Sequence, residues 1–72
     1  MLNENFPKEI TDLIYINRGL KNNEINYIKK MLKLDTLRNL VNLRYAPDPI
    51  RYGNMKKNEL LNELKYSRYD DN

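Results

Sequence analysis

Cysteine, histidine and tryptophan are absent from this 72-residue chain, and it holds only two glycines and three prolines. Without cysteine no disulfide can staple the fold, and no thiolate can bind metal or act as a nucleophile. Without histidine the commonest general base and the commonest zinc ligand are both missing. No apolar run approaches the ~20 residues that cross a bilayer. The start, Met1-Leu2-Asn3-Glu4-Asn5, has neither the basic nor the apolar region of a secretory signal. The expectation is therefore a cytoplasmic chain. At this length one domain is the limit, and only ~60% of the unfolded surface is buried on folding, so aliphatic packing must hold it.

What is present is charge, unevenly spread. Thirteen Lys+Arg stand against ten Asp+Glu, giving a net charge of +3 and a pI of about 9.2. Residues 1–28 carry a net of −1, residues 29–68 a net of +6, and residues 69–72, with Asp70 and Asp71, a net of −2. Positive charge gathered in one half suits a face that meets an anion. The wealth of Asn, Lys, Ile and Tyr is of the kind AT-rich genomes encode, such as those of low-GC bacteria and their phages.

No internal repeat or low-complexity tract stands out, so the sparse glycines and prolines set the divisions. Pro7 fits a first helical turn. Ile10, Leu13 and Ile14 follow at helical spacing, and Arg18 with a left-handed Gly19 closes a helix at about 8–18. Asn22 or Asn23 offers a cap for a second helix at about 23–33, whose stripe is Ile25, Ile28 and Leu32, widened by Tyr27 and Met31. Asp35 or Thr36 offers a cap for a third at about 36–45, with Leu37, Leu40, Val41 and Tyr45 on its apolar face. Whether the second and third helices are separate is open at this stage. The segment 46–53 contains Pro47 and Pro49 and reads as a stiff, extended link that excludes helix. Asn54 then caps a last helix that buries Met55, Leu60, Leu61 and Leu64 and ends near Tyr66, before a frayed tail at 67–72. The fold class expected is all-α: a small three- to four-helix single domain over 1–72. N-terminal helices fill 1–33, and a helix–extended loop–helix unit fills 34–66.

That last unit carries a resemblance. Met55-Lys56-Lys57-Asn58-Glu59-Leu60-Leu61-Asn62-Glu63-Leu64 runs basic residue, spacer, acidic residue, two aliphatics and another aliphatic three on. It resembles the second helix of the small N-terminal domain of the Rho transcription termination factors. Lys57-Asn58-Glu59-Leu60 is similar to the Lys-x-Glu-Leu core of the SAP domain, and Leu34-Asp35-Thr36-Leu37-Arg38-Asn39-Leu40 looks like the first helix of such a motif. The resemblance implies a helix–extended loop–helix fold and a part in DNA binding. Proteins built on this motif also bind other proteins. In Rho the main RNA contact belongs to a separate OB-type subdomain, which has no counterpart here.

Read from the residues, Lys56 and Lys57 fall in the first turn of the last helix, where free N–H groups beside two ammonium groups offer a phosphate seat. Arg51 and Tyr52 sit in the stiff link, placed to grip phosphate, to stack on a base, or else to face water and core respectively. Arg38 and Arg44 flank the stripe of the third helix, about 600° of rotation apart, so only one of them shares a binding face. Lys29, Lys30 and Lys33 read as a solvated face. Tyr15, Tyr27 and Tyr45 read as core, and Tyr66 and Tyr69 as surface. Glu59 and Glu63 share a helix face but have no pocket to make them catalytic. No nucleophile–base pair, metal spacing or phosphate loop is present, so the expectation is a non-enzyme with no catalytic residues, metal site or cofactor.

The function these features favour is a small nucleic-acid-binding module, DNA more than RNA. Its phosphate contacts would come from the start of the last helix and the Pro-rich link. Three to five cations give only modest, salt-dependent affinity, so tight binding calls for a homodimer or a larger partner. The alternative is a protein-interaction adaptor or inhibitor, of the kind a phage directs at a host protein. It rests on a near-neutral N-terminal half and on Tyr, Met and Asn suited to adaptable interfaces.

Overall fold

A computed structural model describes residues 6–68. The chain ends, with Asp70, Asp71 and Tyr69, lie outside them, as does the stretch at 1–5. Five helices follow in order: α1 Lys8–Tyr15, α2 Asn22–Met31, α3 Leu34–Arg44, α4 Pro49–Gly53 and α5 Lys57–Glu63. There is no strand among the described residues, and the fold is all-α. α3 is central, packed against α1, α4 and α5. The core joins Ile10 and Ile14 of α1, Ile25 and Ile28 of α2, Leu37, Leu40 and Val41 of α3, Tyr52 of α4, and Leu60, Leu61 and Leu64 around α5. Met55 and Tyr27 pack on its margin, half-buried.

The caps differ from the sequence expectation for a shared reason. α2, α3 and α5 are each preceded by an extended lysine, Lys21, Lys33 and Lys56, in place of the expected caps, Asn22 or Asn23, Asp35 or Thr36, and Asn54. In α2 and α5 the side chain of the third helical residue supplies the bond. Glu24 Oε1 accepts from Lys21 N–H at 2.7 Å, and Glu59 Oε1 accepts from Lys56 N–H at 2.8 Å. This is half of a capping box, because lysine has no acceptor to return the bond. Leu32 and Lys33 are both extended, which separates α2 from α3.

The link at 46–53 was expected to be free of helix; the structure corrects this. Asp48 accepts from Arg51 N–H at 3.1 Å as N-cap, and Pro49 takes the first helical position of α4, where its missing N–H costs nothing. The proline that forbids helix at its predecessor favours one beginning at itself. Asn54 closes α4, with Nδ2 donating to Ile50 C=O at 2.9 Å.

α1 stops at Tyr15, not at Arg18, because its final carbonyls bond to the Arg44 side chain. Gly19 is not left-handed. A Cβ there would stand 2.0 Å from the Lys65 carbonyl oxygen, so glycine serves a close backbone approach, beside the 2.9 Å bond from Leu20 N–H to Leu64 C=O. Tyr15 was expected in the core but is 62% exposed, with Arg68 over its ring at 5.4 Å. Met31 is likewise exposed.

Candidate nucleic-acid interface

The six residues singled out from the sequence do not form one face. Arg44 is 1% exposed. Its guanidinium donates to the carbonyls of Leu13 at 2.6 Å and Ile16 at 2.9 Å, to Arg18 C=O, and more weakly to Ile14 and Tyr66. Its Nε donates to the Tyr45 hydroxyl at 3.1 Å, whose single proton is shared between the Glu63 and Tyr66 carbonyls. Burial pushes the Tyr45 hydroxyl pKa up, against the opposing pull of Arg44. With its donors spent on main-chain carbonyls and the Tyr45 hydroxyl, Arg44 has none left for phosphate, so its place is in the interior and not on the interface.

Tyr52 is also corrected. Only 4% of it is exposed, and burial raises its hydroxyl pKa, so its ring is closed to a stacking base. Arg38 is part-buried and holds the α4–α5 connection onto α3. Nε donates to Tyr52 C=O at 3.0 Å, one terminal nitrogen reaches Met55 C=O at 3.4 Å, and the other meets Asp35 at 3.3 Å. Arg51 stays on the surface, paired with Glu63 at 3.4 Å and lying over the Tyr52 ring at 5.5 Å. It borders an open cleft of about 630 Å³ in which Asp48 and Glu63 oppose Arg51 and Arg68.

Lys56 is exposed and Lys57 half-buried at the start of α5. The end of that helix already has an anion, since the Glu59 carboxylate sits on the Lys56 amide. The two ammonium groups remain available, while the seat of bare amides inferred for a phosphate is in part filled by the protein itself.

The remaining cations sort by pairing. Lys8 meets Asp12, Arg18 meets Glu24, Arg38 meets Asp35 and Arg51 meets Glu63. Asp48 and Glu59 are engaged as caps. Among the described residues Glu9 alone of the carboxylates is in neither an ion pair nor a cap, whereas Lys21, Lys29, Lys30, Lys33, Lys56, Lys57 and Lys65 are in no ion pair. Lys29, Lys30 and Lys33 are exposed, as expected. Lys65 was not singled out; its signal is its place four residues past Leu61, in the turn that follows α5. No group of three or more acidic, histidine or cysteine side chains lies together among the described residues. No helix among them is long and apolar enough to cross a membrane. No family model matches the chain, and neither the curated proteins nor the solved structures compared with it contain a match.

Proposed function

We propose that this chain is a non-catalytic nucleic-acid-binding module, with DNA favoured over RNA. The observation that carries the reading is the mismatch in pairing. Nearly every described carboxylate is in use within the fold, while the lysines without an ion pair are Lys29 and Lys30 of α2, Lys21 and Lys33 in the extended segments beside it, and Lys56, Lys57 and Lys65 at or just beyond the ends of α5. Such a surface attracts a polyanion and releases its counterions on binding. Lys56 and Lys57 take part as mobile point charges. The resemblance of 34–66 to SAP and Rho N-terminal helices supports the same reading, although α4 interrupts what would be the extended loop.

Fluorescence anisotropy of the purified chain against labelled double-stranded DNA, single-stranded DNA and RNA at two salt concentrations tests it, with Lys56→Glu/Lys57→Glu alongside. Binding that falls with salt and weakens in the variant is expected. Absence of binding to all three at low salt refutes the reading. The second reading, a protein-interaction module, draws on Ile50, which stands 80% exposed on α4. An Ile50→Ser variant that loses a partner protein while nucleic acid is never bound would favour it.

A further inference from the structure

α2 and α5 meet along a groove of about 320 Å³. From α2 it is lined by Asn22, Ile25, Asn26 and Lys29. From α5 and the turn after it the lining is Asn58, Leu61, Asn62 and Lys65. The two sets are one pattern, Asn-x-x-aliphatic-Asn-x-x-Lys, written twice. The bond from Leu20 N–H to Leu64 C=O joins the start of α2 to the end of α5. The matching sets therefore run in opposite directions, and each lysine stands about 10 Å along the axis from the first asparagine of its own set.

Burial accounts for the aliphatic positions, since Ile25 and Leu61 are 7% and 6% exposed. It does not account for the rest. Asn22, Asn26, Asn58 and Asn62 are exposed, and their carboxamides make no hydrogen bond within the described residues. Asn42 and Asn54 use theirs to bind main chain, while Asn17 and Asn23, outside the groove, are exposed and free as well. Asparagine is a poor helix former, so repeating it on two exposed helix faces works against the helices themselves. No carboxylate lines the groove, and neither lysine has an ion pair.

We propose that this groove is where the nucleic acid seats, with α2 on one side and α5 with its following turn on the other each supplying one lysine and two asparagines. The inference rests on the proposed function and names its site. The lysines meet phosphate at opposite ends. The carboxamides, each both donor and acceptor, meet phosphate, sugar and base edges. A second copy of this chain would bring four lysines together with no carboxylate between them.

The test is a salt titration of the full chain with a duplex and with its separated strands, comparing wild type, Lys29→Gln/Lys65→Gln, Asn26→Ala/Asn62→Ala, and the off-groove pair Lys30→Gln/Lys33→Gln. Circular dichroism confirms that each variant is folded. At about 0.9 per phosphate contact, the groove lysine pair should make the log–log salt slope shallower by about 2, and weaken duplex binding by about tenfold or more. The asparagine pair should weaken binding several-fold with the slope unchanged, and the off-groove pair should move the slope by less than about 1. If the groove lysine pair keeps the wild-type slope, or if the off-groove pair lowers it as much, the inference is overturned while nucleic-acid binding stands. If the wild type binds neither form, the functional reading itself has failed.

Discussion

Arg44→Met replaces a buried guanidinium with an apolar side chain of similar reach. The acceptors it leaves behind are main-chain carbonyls of Leu13, Ile16 and Arg18, which no substitution can remove. Each buried carbonyl left without a donor costs about 1–3 kcal/mol. Sparing the desolvation of the guanidinium offsets part of that sum, and no charge is left unpaired because the partners are neutral, so the net cost should be about 2–4 kcal/mol. A chain of this length has a total stability of about 4–11 kcal/mol, so the variant should lie near the edge of unfolding. Its melting temperature should fall by about 15 °C or more, measured by circular dichroism at 222 nm. Arg44→Lys keeps the charge and three donors but loses the planar fork, so it should recover part of the loss. Urea titration of the same proteins separates a change in stability from a change in the denatured state, because only the latter alters the slope. An Arg44→Met protein melting within about 3 °C of wild type, with unchanged slope, would refute the assignment of Arg44 as the clamp on the α1–α2 connection.

Glu24 has its pKa lowered to about 2, chiefly by the hydrogen-bonded Arg18 guanidinium. A depressed carboxylate stabilises the fold above its unfolded pKa of ~4.3, and that stabilisation fades as pH falls towards 2. Glu24→Gln should flatten that part of the stability–pH curve in urea titrations at pH 6 and pH 2.5. The two glycines should respond differently to alanine: Gly19→Ala drives a methyl into the Lys65 carbonyl and should cost about 1–3 kcal/mol. Gly53→Ala meets nothing within 4 Å and should be neutral or stabilising by up to about 1 kcal/mol; equal melting temperatures for the two variants would contradict the close approach at Gly19. Leu60 is fully buried, so Leu60→Asp should abolish cooperative melting, and an unaltered melt would mean that α5 is misplaced.

Four of the five helices were legible because their apolar residues recur at helical spacing, and that periodicity survives whatever the rest of the fold does. α4 was legible too, in Asp48-Pro49, a cap followed by proline at the first helical position, but two prolines in three residues read more readily as a barrier. Arg44 stands seven residues after Leu37 and three after Val41, on the buried face of α3. Reading it as a flanking cation put charge ahead of position. The sequence by itself determined an all-helical chain, its main helices and most of its core, since these depend on intervals of three and four along one segment. Only the tertiary structure decided which polar groups meet. It spent Arg44 and Arg38 on distant carbonyls, buried Tyr52, ended α1 early and set the two asparagine–lysine patterns across one groove. Such pairings join residues tens of positions apart, and their energy depends on which donors and acceptors packing removes from water, a quantity no local interval encodes.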